Sequence, residues 1–297
     1  MRGNEEIWVA GEALIDLIPD ESMKSKAIVG GGPANTAKSL ANLGYEAKFI
    51  GGISNDSFGQ SIQTDLISYG VNLDLVHYSN LPTATATVSL NESGTAQYVF
   101  SLRDTATFEF HKSWLPHGVP KVLHIGSLAT IIEPGSIELL NWAKELPVPI
   151  VFDPNVRPSV LSDPVLYREY VEKWMRISSV VKMSEDDLTW LYPQITSAAE
   201  LLKLGPQLIV VTHGERGLTA HHSSFTTAVP GVRADVVDTV GAGDTVGAII
   251  VESIVEVGLI ETFGNIKKVL HRAARAAAIT CSRAGANPPT RAELENS

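Results

Sequence analysis

Short apolar runs alternate along the chain with segments whose apolar positions recur at helical spacing. Ile7–Gly11, Lys48–Gly52, Val122–Ile125, Val148–Asp153, Ser179–Met183 and Leu208–Thr212 predict strands. Pro33–Leu43, Ser57–Tyr69, Ser136–Glu145 and Val165–Arg176 predict helices, and two long ones follow at Thr245–Val257 and Ile266–Ser282. This alternation predicts an α/β fold with a mostly parallel central sheet and helices on both faces. One region breaks the rhythm. Thr83–Leu90 and Thr95–Leu102 read as a β-hairpin turning at Asn91–Gly94, and Leu14–Ile18 is extended. These segments predict a small β-lid over one end of the sheet. Ligands of open α/β sheets bind at the carboxyl ends of the strands, where a lid excludes water.

The 297 residues carry no repeat, low-complexity tract or linker, so one domain spanning 1–297 is expected. Acidic residues number 33 against 23 basic, a balance of −10. That charge argues against nucleic-acid and anionic-membrane partners. No apolar run is long enough to cross a membrane, and Glu5 and Glu6 stand where a secretory leader would be basic. Cys281 is the single cysteine. An internal disulfide is excluded, and a reducing, cytoplasmic setting is expected.

Two glycine segments hold the most informative chemistry. In Gly30-Gly31-Gly32-Pro33-Ala34-Asn35, the glycines let backbone approach a ligand and Pro33 suits the first turn of a helix. A tight strand–helix turn with Asn35 merely exposed is the bland alternative. Gly32–Ser39 nearly spells a P-loop, but Ala37 replaces the glycine before Lys38, and Pro33 removes an amide. In Val236–Thr245, Gly241 and Gly243 open the start of an apolar helix, an anion site, and Asp244 sits there. A carboxylate beside a phosphate site is repulsive unless it serves a purpose, and one such purpose is to take a proton from an attacking hydroxyl. Its bland alternative is an ordinary helix cap. Asp16, Asp153-Pro154-Asn155-Val156-Arg157, Ser184-Glu185-Asp186-Asp187 and Thr212-His213-Gly214-Glu215-Arg216-Gly217 are softer candidates. The last is either a plain hairpin loop or a nucleotide contact. Zinc spacing and a Gly-x-Ser-x-Gly elbow are absent, and His124 reads as a core histidine.

Gly11–Asp16, Gly31–Asn35, Asp153–Arg157 and Asp238–Asp244, in this order, resemble the ribokinase-like (PfkB) carbohydrate kinase family over essentially the whole chain. The resemblance implies a three-layer α/β/α fold with a β-lid from about 13–29 and 83–107. It implies an ATP- and Mg²⁺-dependent transfer to a sugar hydroxyl, with sugar and ATP as partners and a homodimer joined through the lid. Carried over, Asp244 is the catalytic base, and the amides of Gly241, Ala242 and Gly243 form the anion hole. Asp16, Gly31, Gly32 and Asn35 hold sugar hydroxyls, while Asn155 and Arg157 face substrate or phosphates. Thr212, Gly214 and Gly217 match the nucleotide loop, and Asn287 lies near the adenine segment. Asp238 matches a position that helps hold K⁺. The family's Asn-x-x-Glu appears as Ser184–Asp187, which leaves Asp187 to meet Mg²⁺ through water. Fructokinases are the most similar members, which implies D-fructose. The 2-keto-3-deoxygluconate kinases share Asp-x-Asn-x-Arg, and Arg103 or Arg157 would then pair with the substrate carboxylate.

Overall fold

The computed structural model describes residues 6–19, 25–90 and 96–296. In chain order the strands and helices begin with β1 (Ile7–Ala10), β2 (Leu14–Pro19), β3 (Ser25–Gly30), α1 (Gly32–Asn42), β4 (Ala47–Ile50), β5 (Gly52–Ser54) and α2 (Ser57–Ser68). They continue with β6 (His77–Ser79), β7 (Thr85–Leu90), β8 (Ala96–Ser101), β9 (Val122–Gly126), α3 (Gly135–Ala143), β10 (Ile150–Asp153), α4 (Pro164–Met175), β11 (Val180–Ser184) and α5 (Glu185–Leu191). The remainder is β12 (Leu208–Thr212), β13 (Leu218–His222), β14 (Phe225–Val229), α6 (Ala242–Val257), α7 (Leu259–Gly264), α8 (Ile266–Cys281) and α9 (Arg291–Glu295).

Eight strands form the central sheet in the order β14-β13-β12-β11-β10-β9-β1-β4. β4, β1, β9, β10, β11 and β12 are mutually parallel, so their carboxyl ends share one edge. β13 and β14 add antiparallel. Each buried strand sends alternate residues to opposite faces. Ile7, Val9, Val151, Val180 and Val210 pack with α1, α6 and α8. Trp8, Ala10, Phe152, Val181 and Val211 pack with α3 and α4. The three-layer α/β/α expectation is met.

A second, four-stranded sheet runs β3-β2-β7-β8. β2 pairs antiparallel with β3 and parallel with β7, and β7 pairs antiparallel with β8. The turn expected at Asn91–Gly94 lies outside the described residues. One expected strand is corrected. Lys48–Gly52 breaks at Gly51, and Gly52 begins β5, which pairs with β6 in a separate two-stranded sheet. A side chain at Gly51 would lie 2.6 Å from the Gly11 carbonyl. The chain therefore leaves β4 where β1 also ends.

Candidate active site

Two helix N-termini meet beside the carboxyl edge of the central sheet. α6 starts at Ala242 rather than Thr245, with Gly241 as its cap in the left-handed region (φ 80°, ψ −5°). Asp244 therefore stands in the first turn, and the capping role weighed for it falls to Gly241. Its side chain is buried, with 8% exposure. From α1, Asn35 donates Nδ2–H to Asp244 Oδ2 at 2.9 Å, and Thr36 Oγ1 donates to the Asp244 carbonyl at 3.4 Å. Burial raises the Asp244 pKa, while Lys182, the Asn35 hydrogen bond, Arg157 and Lys38 oppose it. The Ala242 amide donates to Thr239 O at 3.3 Å, closing the turn into the helix. The amides of Gly241 and Gly243 have no acceptor among the described residues. They are the two left for an anion.

Backbone crowds the other side of Asp244. A Cβ on Gly32 would lie 2.6 Å from Asn155 Nδ2 and 3.2 Å from Asp244 Oδ1. Gly31 caps α1 at φ 113°, pressed against the Glu12 carbonyl. Asp16, half-buried on β2, fills the space a side chain on Gly30 would need. Its pKa is raised by burial and opposed by Arg157. Asn155 adopts φ 40°, uncommon outside glycine. Arg157 explains how it is held. Nη1 donates to Asn155 Oδ1 at 2.7 Å and to the carbonyls of Asn155 and Val156 at 3.1 Å each. That bond fixes the amide so that Nδ2–H faces Gly32 and Asp244. Arg103 is brought to none of this. It is exposed beyond β8, with no hydrogen bond or ion pair to the other candidates among the described residues.

Thr212 ends β12, and 213–217 turn the chain into antiparallel β13. His213 N donates to Gly217 O at 2.8 Å, and Gly217 needs glycine at φ 105°. Geometrically this is a hairpin loop with Gly214 at its exposed tip. Asp238 Oδ1 accepts from Val240 N (3.1 Å) and Oδ2 from Gly285 N (2.9 Å). These amide bonds lower its pKa. They tie the approach to α6 to the segment after α8, where Ala286 packs on Gly241 and Asn287 is exposed. Asp187 Oδ1 accepts from Val156 N and Oδ2 from Ser184 N, each at 2.9 Å. Both oxygens are already engaged, which suits a water-bridged cation better than direct ligation. Among the described residues no cluster of three His, Cys, Asp or Glu is arranged for a metal.

Sequence reading assigned no role to three buried polar groups here. Lys182 Nζ pairs with Asp153 Oδ2 at 2.5 Å, both side chains almost fully buried. Glu12 Oε2 accepts from Ala129 N at 3.1 Å, and burial pushes its pKa up to about 7. The signal was parity. Val180 and Lys182 share one face of β11, and a lone lysine between apolar neighbours on an inner strand is a buried charge.

Comparison with known proteins bears on the family and the fold. The model of the pfkB family carbohydrate kinases matches residues 4–293. Probable fructokinase-5 of Arabidopsis thaliana is 31% identical over 96% of this chain and 94% of its own. A fructokinase from Xylella fastidiosa with bound ATP superposes with a TM-score of 0.90 at 23% identity, covering 99% of this chain and 98% of its own. A fructokinase double mutant from Vibrio cholerae O395, in a form with fructose, ADP and potassium ion bound, gives 0.86 at 26% identity over 99% and 98%. Sequence and fold thus agree over nearly the full length, and the chain belongs to the pfkB family of carbohydrate kinases.

Proposed function

We propose that this sugar kinase transfers the γ-phosphoryl group of ATP to the primary hydroxyl of D-fructose, giving ADP and fructose 6-phosphate. The observation that carries the reading is a buried carboxylate, Asp244, beside two unengaged amides at the start of α6. Asp244 takes the hydroxyl proton as the oxygen bonds to the γ-phosphorus. The bond to the β,γ-bridging oxygen breaks, and ADP leaves with its electron pair. Gly241 and Gly243, with the positive end of α6, receive charge on the transferred group. Asp16, Gly31, Gly32, Asn35 and Asn155 hold the remaining hydroxyls. Thr212, Gly214, Gly217 and Asn287 line the nucleotide. Mg²⁺ arriving with ATP, with Asp187 in reach through water, would neutralise phosphate charge, and Asp238 would stand beside K⁺.

Fructose is preferred to 2-keto-3-deoxygluconate for a local reason. A sugar acid needs a cation turned to it, but Arg157 turns Nη1 back on its own loop and Arg103 is exposed beyond β8. Asp16 beside Gly30 and Asp244 beside Gly32 repel a carboxylate. The test is ADP release from ATP and Mg²⁺ with each substrate, for wild type and Asp244→Asn. Fructose-dependent turnover is expected, falling about 10²–10⁴-fold in the variant. Turnover with the sugar acid alone would move the substrate assignment. Equal turnover in both proteins would remove Asp244 as the base.

A further inference from the structure

The start of α6 rests on polar side chains where an apolar seat would be usual. Along β11, Val181 and Met183 face one layer of helices, and Val180 and Lys182 face the other. Lys182 Nζ comes within 3.1 Å of the place a Cβ on Gly243 would occupy. One helical turn further, Gly247 lies over His124 on β9, its would-be Cβ 3.3 Å from Nε2. Glycine at 243 spares the lysine that tight contact. It leaves room for an ammonium under the helix N-terminus.

We propose that Lys182 is a positioning residue for phosphoryl transfer, the buried cation that keeps Asp244 charged without covering its oxygens, and that Asp153 locks it in place. The inference rests on Asp244 being the base. A carboxylate this buried favours its neutral form, and a neutral Asp244 cannot accept a proton. A cation in direct contact would keep it charged but occupy the oxygen that must meet the hydroxyl. Lys182 avoids this by making its ion pair with Asp153 instead. Other charges reach Asp244 from every side. Arg157 acts from the loop after β10, Lys38 from α1, Asp153 from β10, and Lys182 from β11. Lys38 is paired with Asp65 at 3.1 Å, and Arg157 with its own loop. Lys182 is the largest of the opposing influences on Asp244. Burial works against its own charge, but Asp153, Asp244 and Asp187 outweigh that and raise its pKa, so it stays an ammonium.

Removing each partner of the pair should therefore move Asp244 in opposite directions. In Lys182→Met, Asp153 and Asp244 repel each other unshielded. The acid limb of the kcat–pH profile should rise by about one unit or more, so that the loss in kcat is greatest on the acid side and is largely recovered in alkali. KM for the sugar should change less than kcat. Asp153→Asn removes a negative neighbour and keeps the lysine, so its acid limb should move down. A second readout needs no turnover. The Asp244 carboxyl carbon, in ¹³C-aspartate-labelled protein, is assigned by its loss in Asp244→Asn and titrated in each variant. Unmoved limbs and an unmoved titration, even with low kcat, would make the lysine merely structural and overturn the proposal. Should Lys182→Met not fold, Lys182→Gln is titrated in its place, and an unmoved Asp244 there would overturn the proposal. A wild type that phosphorylates no sugar would sink the kinase reading, while the carboxyl titration would still decide the role of Lys182.

Discussion

Neighbouring glycines 31 and 32 do different work, and single methyl groups separate them. At Gly32 the backbone lies outside the left-handed region, so alanine brings no backbone strain. Its methyl, however, would lie 2.6 Å from Asn155 Nδ2 and 3.2 Å from Asp244 Oδ1. Gly32→Ala is expected to raise KM for the sugar about 10- to 100-fold. Its thermal midpoint should stay within about 2 °C of wild type. Gly31 stands at φ 113° against the Glu12 carbonyl. Gly31→Ala should cost about 1–3 kcal/mol of stability, read from urea midpoints, before any effect on substrate. The glycine run was legible as a place of close approach. Which glycine faces the ligand and which the chain was not, because residue identity does not report φ.

The start of α6 depends on an element outside itself. Asp238 joins the Val240 amide to Gly285, which sets the approach to Gly241 against the segment carrying Ala286 and Asn287. Asp238→Ala should release both bonds. KM for ATP is expected to rise about tenfold while KM for fructose stays within about twofold, because Asn35 still holds Asp244. Equal rises in the two would place the loop on the sugar side. Elements were legible where both faces of a strand are apolar, as in β1, β9 and β12. The hydrophobic pattern did not mark β3 as a strand, because Ser25–Gly30 has an exposed first half and only three apolar residues before its closing glycine, although the resemblance placed it in the lid. β5 escaped because Gly51 ends one sheet and the next begins a residue later. Lys182 escaped for a related reason. A lysine in a strand reads as facing solvent, and the pairing of β11 between β10 and β12 shows that its side is interior.

Buried ionisable groups also shape the stability of the whole molecule against pH. His124 faces α6 with neither ring nitrogen partnered among the described residues. Burial, then Lys182, lowers its pKa from 6.5 to about 3. The unfolded chain therefore binds a proton the fold refuses, and this stabilisation, present above pH 6.5, is lost as pH falls towards 3. Glu12 acts in the opposite sense. Burial raises it from 4.5 to about 7, so its contribution is present below pH 4.5 and lost as pH rises through 7. Between 4.5 and 6.5 the two slopes oppose each other and flatten the stability curve. Each is worth on the order of a few kcal/mol across its window. His124→Leu should remove part of the acid fall and leave stability at pH 7 unchanged or higher, since an unpartnered buried imidazole gains nothing from its polarity. Glu12→Gln should track wild type near pH 4.5, exceed it increasingly up to about pH 7 and hold that lead to pH 8.5. Urea midpoints across that range for the three proteins would decide. Parallel curves for wild type and Glu12→Gln would mean that Glu12 folds as a carboxylate, paired well enough to offset its burial.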